Sequence, residues 1–289
     1  MIVETLSLIA AFCYTLSGIL ALLGMKKSNP NTATFVSMVA NMAFLWPIAL
    51  LFSPVTFSNR AILLYAVSAA FAPLAGRMLN YISLERMGVS TTTSISGLQP
   101  IMVAVLASVF VGEKLPATIY AAIAITTIGI TVIGRSSSAP NSAKAFKKWE
   151  LIIPLSSTFG YSSSNVLRKE GLKEQNLPLI ASVVTCSFSA LYMFGLLVFT
   201  RRLRQMMVTR SSLLFFFLSG LVNSFAWITS FQALSIGEAS IVSTILGTQP
   251  LLAIVLSHFL LRRTEKITKG KIAGASLVAF GVAVITILK

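Results

Sequence analysis

Arg77 stands inside a long apolar run, about 17 residues and so about 25 Å of helix beyond Arg60. A charge within a membrane helix costs about 2.5–3.5 kcal/mol on insertion scales, so it normally faces a cavity or a partner. One chemistry open to Arg77 is a clamp on a substrate carboxylate or phosphate. The other reading is structural: the side chain reaches the nearer interface or pairs with Glu85. Gln99-Pro100 and Gln249-Pro250 also lie within apolar runs. A proline in a helix removes one backbone hydrogen bond and frees a carbonyl upstream. Membrane helices tolerate such breaks where they line a cavity. The two glutamines are therefore expected to bind polar substrate atoms, the alternative being a kink with each Gln bonded to a neighbouring helix. Asn80, Asn165, Asn223, Tyr14 and Tyr161 are further polar groups within apolar stretches. Each could touch substrate or serve as interhelical glue worth roughly 0.6 kcal/mol. Trp227 could stack on a substrate or fill the bundle.

Other chemistries lack their residues. All eight acidic residues are Glu, and His258 is the single histidine. No metal site, catalytic residue or cofactor is expected from that inventory. An intramembrane enzyme would need paired carboxylates, a metal cluster or a nucleophile–base pair. The Gly-x-x-x-x-Gly-Lys-Ser/Thr loop that would cradle ATP phosphates does not occur. Glu4, Glu85, Glu150 and Glu238 all fall near helix ends, so proton exchange through a mid-membrane carboxylate is not supported. The expected substrate is anionic, zwitterionic or neutral.

The elements that position these residues are membrane helices. The chain has 289 residues, 55% hydrophobic and 11% charged, with mean hydropathy +0.84. Soluble domains carry roughly 25% charged residues. Unbroken apolar runs of bilayer length recur along the whole chain, without the alternation of barrel strands. The spacing predicts ten helices, near 4–24, 32–52, 61–83, 90–111, 116–134, 151–169, 178–199, 211–234, 239–261 and 270–288. The first is read as a retained helix, since no basic segment precedes it and no small-residue cleavage site follows. Cys13 and Cys186 both fall inside apolar runs and are expected to be buried thiols. The net charge of +15 does not indicate nucleic acid, because nearly all Lys and Arg fall in short loops.

The chain repeats itself. A shift of 150 carries Ser90 onto Ser240, Gly97 onto Gly247, Gln99 onto Gln249 and Pro100 onto Pro250. A shift of 147 carries Phe12, Tyr14, Ser17 and Gly24 onto Phe159, Tyr161, Ser164 and Gly171. The halves are expected at 1–135 and 150–289, joined by a basic, Ser-rich linker at 136–149. Under the 150 shift Arg77 falls on Trp227, so the site is expected to be asymmetric. An odd number of helices per copy would insert the second copy upside down. Such inverted repeats are characteristic of secondary transporters, with the substrate at the repeat interface near the midplane. Gly270 and Gly274 form a small-xxx-small pattern at the start of the last helix, suited to close packing against the fifth helix.

Two five-helix copies, with Gln-Pro in one helix and Gly112-Glu113-Lys114 before the next, make this an all-α membrane protein that resembles the EamA-like branch of the drug/metabolite transporter superfamily. The second copy departs from the pattern, keeping Glu265 but lacking the Gly. The resemblance covers the whole chain and implies alternating-access transport of a small polar metabolite, such as an amino acid or organic anion. The expected partners are that substrate and the bilayer, not nucleic acid; a homodimer is possible within this reading. A non-transporting structural membrane protein is the competing reading.

Loop charge predicts orientation. The side bearing both termini holds six Lys and Arg (Arg60, Lys114, Arg168, Lys169, Lys173, Lys289), and the other side sixteen. The positive-inside rule places the richer side in the cytoplasm of a cell-membrane protein, with both termini outside.

Overall fold

The computed structural model describes residues 1–54, 56, 58–136, 148–261 and 268–288, and among them every regular element is helical. The first half holds α1 (Ile2–Met25), α2 (Pro30–Phe52), α3 (Asn59–Ala69), a π-helical segment (Ala70–Gly76), α4 (Arg77–Ser96), α5 (Gln99–Phe110) and α6 (Ala117–Ser136). The second holds α7 (Ile152–Glu174), α8 (Pro178–Phe199), α9 (Arg210–Ile236), α10 (Ala239–Leu246), α11 (Gln249–Leu261) and α12 (Lys269–Leu288). Six of them, α1, α2, α6, α8, α9 and α12, are long and apolar enough to cross a membrane. Large apolar side chains such as Leu51, Phe52, Phe110 and Phe199 point outward and are exposed, which suits a hydrocarbon surrounding rather than water.

Helix starts follow their local chemistry. Asn29 accepts the Thr32 N–H ahead of Pro30, which occupies a first-turn position where no N–H is needed. Ser58 caps α3, and Thr209 with Ser212 forms a reciprocal capping box at α9.

Three of the expected spans are not continuous rods. The expected helix at 61–83 passes through the π segment. The expected helix at 239–261 is broken at Gly247 and Thr248 into α10 and α11. The expected helix at 90–111 is likewise interrupted at Gly97 and Leu98, between α4 and α5. Within α4 the chain doubles back: the Ser83 and Thr92 hydroxyls hydrogen-bond at 2.7 Å, whereas nine residues of straight helix would separate them by about 13.5 Å. The reversal falls where the sequence predicts a break between helices. α7 runs on to Glu174 rather than ending near 169, so Arg168, Lys169 and Lys173 are helix residues and not loop charges. The polar face of α7, rich in Ser, hid this length from a reading based on apolar runs.

The halves exchange helices. α1 packs on α9 of the other half, and α7 packs on α3, the π segment and α4 of the first. Two hydroxyl pairs mark the exchange: Ser17 with Ser219 at 3.0 Å and Ser164 with Ser68 at 2.9 Å. Two close approaches do the same, Gly24 against the Phe216 ring and Gly171 against the Tyr65 ring. These partners are repeat mates: 17 and 24 become 164 and 171 by adding 147, while 65 and 68 become 216 and 219 by adding 151. Farther along, the shift is 150. One residue is therefore extra in the first copy between Ser68 and Leu84, where the π segment lies. A π turn is a one-residue insertion accommodated inside a helix.

α6 and α12 cross along glycines. A Cβ on Gly129 would stand 2.7 Å from the Gly274 carbonyl oxygen, and a Cβ on Gly274 the same distance from that of Gly129. The small-residue pattern at Gly270 and Gly274 thus serves the packing of α12 on α6, with Gly281 continuing the seam against Ala122 and Thr126. Cys13 and Cys186 are free thiols, the second of them buried.

Candidate functional site

The glutamine–proline pairs start helices rather than kinking them. Pro100 and Pro250 lie in the first turns of α5 and α11, where a missing N–H costs nothing. The chain interruption sits upstream, at Gly97-Leu98 and Gly247-Thr248, which is the correction to the expectation of a mid-helix proline. The tight approach at those glycines explains the residue type. A Cβ on Gly97 would meet Thr131 Oγ1 at 2.9 Å, and one on Gly247 would meet Ile130 at 2.6 Å.

Each break lies against a hydroxyl-bearing residue of the opposite half. The Thr15 hydroxyl on α1, which donates to the Ala11 carbonyl of its own helix at 2.7 Å, lies 3.5 Å from the Gln249 carbonyl. The Ser162 hydroxyl on α7, which donates to the Thr158 carbonyl at 2.8 Å, lies 3.5 Å from the Gln99 carbonyl. Thr15 and Ser162 are repeat mates, as are Gln249 and Gln99. Both glutamine side chains are half-buried. Thr15 is about 20 Å along α1 from its Ile2 end, and Ser162 about 15 Å along α7 from its Ile152 end. Both contacts therefore fall near the middle of their helices.

Beside this pair of breaks lies a group that the loop-charge reading missed. Arg168 is 7% exposed, and its Nε donates to Ser68 Oγ at 3.1 Å. Its guanidinium carbon lies 5.0 Å from the Trp227 ring centre and 5.3 Å from that of Phe231. Those two rings are themselves stacked, 5.7 Å apart on successive turns of α9. Tyr14 and Tyr161 stand close to the same guanidinium, and the Tyr14 hydroxyl bonds Ser230. The signal available in sequence was spacing: Tyr161, Asn165 and Arg168 recur at intervals of four and three, one face of a helix.

The remaining expectations divide. Trp227 is buried against Arg168, and Tyr14 and Tyr161 converge on it. Asn165 is half-buried on α7. Asn80 and Asn223 are half-buried on α4 and α9, and among the described residues no hydrogen bond ties their side chains to the Arg168 cluster. The side chains of Arg77, Glu85 and His258 lie outside the described residues. With the extra residue of the π segment, Trp227 matches Gly76 in the register before it and Arg77 in the register after it. Among the described residues no three His, Cys or Glu side chains gather as a metal site would need. A cleft of about 310 Å³, lined by residues including Phe52, Asn176 and Gln232, opens near the ends of α2 and α9 and contains none of the expected site residues.

The face bearing the N-terminus is sealed by polar contacts between halves. Glu113 accepts the Ala239 N–H at 2.5 Å, the Ser240 N–H at 3.3 Å and the Ser240 hydroxyl at 2.5 Å. An anion at a helix start satisfies orphan N–H groups and complements the helix dipole. Lys169 donates to the Leu234 and Gly237 carbonyls at 2.8 Å each, at the C-terminal end of α9, and Lys173 donates to the Val111 carbonyl. The Glu of the Gly-Glu-Lys turn is thus a helix cap across the repeat boundary.

A model of the EamA-like transporter family matches residues 1–135 and again residues 148–287. The chain belongs to the EamA-like transporter family. Twenty-nine chains of solved structures are similar to it. One, a crystal structure described only as that of a protein, superposes with a TM-score of 0.79 over 99% of this chain and 96% of that one, at 15% identity. At that identity the likeness concerns the fold. No curated protein matches. Membership makes this a multi-pass membrane protein of a family that transports small molecules, built from two copies of the family's unit.

Proposed function

We propose that this EamA-like protein is a secondary transporter that moves a small polar metabolite, an amino acid or organic anion, across the cell membrane by alternating access. The observation that carries the reading is the pair of repeat-related breaks before Gln99 and Gln249. Each lies 3.5 Å from a hydroxyl of the opposite half, near the midpoint of the helix supplying it. Discontinuous helices at a repeat interface supply free carbonyls and helix starts to a substrate, and they allow one bundle to rock against the other. The chain crosses the bilayer ten times in this reading: the six long apolar helices, α7, the segment from α3 to the turn in α4, the segment from that turn through α5, and the paired α10 and α11. Five passes per copy make the repeats inverted.

Both termini are placed outside. Three of the six basic residues counted on that face lie in α7, where Arg168 is buried and Lys169 and Lys173 bind backbone carbonyls. Three loop and terminal cations then remain there (six minus three), against sixteen on the other face.

The experiment is two-sided labelling in a Cys13→Ala, Cys186→Ala background. Single cysteines at Ser96, Gln99 and Gln249 are treated with a membrane-impermeant maleimide from each side of oriented vesicles. Reaction from both sides supports alternation, with the proportion changed by substrate. Reaction from one side alone, under every condition, overturns it.

A further inference from the structure

The transporter reading makes no use of Arg168, whose surroundings are unusual for a membrane cation. It lies about 9 Å inside the Glu174 end of α7, six residues at helical rise. It is 93% buried (100 minus 7% exposed). Among the described residues no carboxylate lies within ion-pair distance of it. A charge so placed is costly unless paired. A guanidinium has five N–H donors in a planar fork. One of them, on Nε, is spent on Ser68. The Trp227 and Phe231 rings attract the cation as a whole. A ring cannot satisfy the four terminal N–H groups as an oxygen acceptor would.

Ser68 is itself bonded to Ser164, so the Nε side of the fork is anchored between the halves. The arrangement fixes a cation, and among the described residues its terminal nitrogens make no hydrogen bond, which leaves them as the binding edge. We infer that Arg168 is an anion subsite of the transport path and takes the carboxylate of an organic acid or amino acid in a paired, fork-to-fork contact. This rests on the transporter reading above. A carboxylate matches the fork geometry with two parallel hydrogen bonds. One guanidinium balances one negative charge, whereas a phosphate monoester carries about two at neutral pH. Trp227, with Phe231 stacked behind it, supplies an apolar flank for the rest of the molecule. The repeat mate of Arg168 is Ala21 (168 minus 147), so the internal symmetry supplies no second such cation. The substrate is therefore held by its charged end in a single orientation.

The test is ligand-induced thermal stabilisation of the detergent-purified chain at fixed ionic strength. The probes are benzoate and hexanoate, their uncharged amides benzamide and hexanamide, benzylammonium, and benzyl phosphate. A ligand that binds only the folded state raises its apparent melting temperature. Benzoate and hexanoate are expected to stabilise, and the amides and benzylammonium to do nothing. Arg168→Gln is expected to lose the effect, and Arg168→Lys to weaken it at least tenfold in apparent affinity, because the fork is lost. The comparison of acid with amide uses the unaltered chain, so it stands even if the variants fail to fold. Equal shifts by acids and amides would overturn the subsite. So would stabilisation by benzyl phosphate alone, no shift with any probe, or undiminished benzoate binding by a monodisperse Arg168→Gln protein. The cysteine labelling decides the transporter reading separately. Two-sided access with no carboxylate preference removes the subsite and leaves the transporter; one-sided access removes both.

Discussion

Glu113 of the first repeat accepts a hydrogen bond from the Ala239 backbone N–H of the second at 2.5 Å, and its other carboxylate oxygen takes both the N–H and the hydroxyl of Ser240. The carboxylate is 8% exposed and closes the start of α10. Hydrogen bonds to a charged group are worth about 1.5–3 kcal/mol each. Glu113→Ala is therefore expected to lower the stability of the purified protein by at least about 2 kcal/mol, with Glu113→Gln falling between. Thermal unfolding in detergent is the check. Ala and wild-type proteins melting together would show that the cap contributes nothing.

The glycines of the α6–α12 crossing should behave unlike glycines elsewhere. Gly129 and Gly274 each meet the other's carbonyl, whereas a Cβ on Gly18 or Gly195 meets nothing within 4 Å. Gly129→Leu and Gly274→Leu are expected to cost about 1–3 kcal/mol or more through overpacking. Gly18→Ala and Gly195→Ala should be neutral or gain up to about 1 kcal/mol from helix propensity. Opposite signs in a melting series would confirm the seam; equal tolerance at all four would refute it.

Two serine pairs tie the exchanged helices, Ser17 with Ser219 and Ser68 with Ser164. Interhelical hydrogen bonds in membranes average roughly 0.6 kcal/mol. Each hydroxyl of the first pair also lies 2.9 Å from the other residue's backbone carbonyl, an acceptor that survives the partner's substitution. Ser17→Ala and Ser219→Ala should therefore each cost about that much, and the double variant close to their sum. Thermal unfolding of the two single variants and the double is the check. Wild-type stability in both single variants would mean that the hydroxyls do not tie the helices.

The π segment predicts an asymmetry under deletion. Removing Ala72 or Ala75 takes out the inserted residue and lets an ordinary helix join α3 to α4 in register. Removing Leu63 instead rotates the start of α3 by about 100° against everything that follows, since one residue is a 3.6th of a turn. The first deletions are expected to yield folded, monodisperse protein and the second to lower yield sharply, as read by size-exclusion chromatography. The reverse order would mean that the wide turn is required for folding.

Lipid was legible in this sequence because it is an averaging solvent. Long apolar runs must become helices where no water can satisfy the backbone, and composition reports that directly. The duplication was legible through Gly-x-Gln-Pro in both copies, and with it the family. Positions whose chemistry depends on neighbours were not. Arg168, Lys169 and Lys173 look like loop charge on paper. The Ser-rich face of α7 is apolar enough only when its hydroxyls bond other helices and its cations find aromatic rings and carbonyls. Gln-Pro foretold two helix breaks but misplaced them by two residues, because the close approach at Gly97 and Gly247 depends on what packs there. Sequence determined that the chain is helical, duplicated and membrane-bound, since these follow from local polarity and self-similarity. Only the tertiary structure decided which helices trade places between the halves, and which buried cation faces aromatic rings at the seam, because both depend on contacts between residues far apart in sequence.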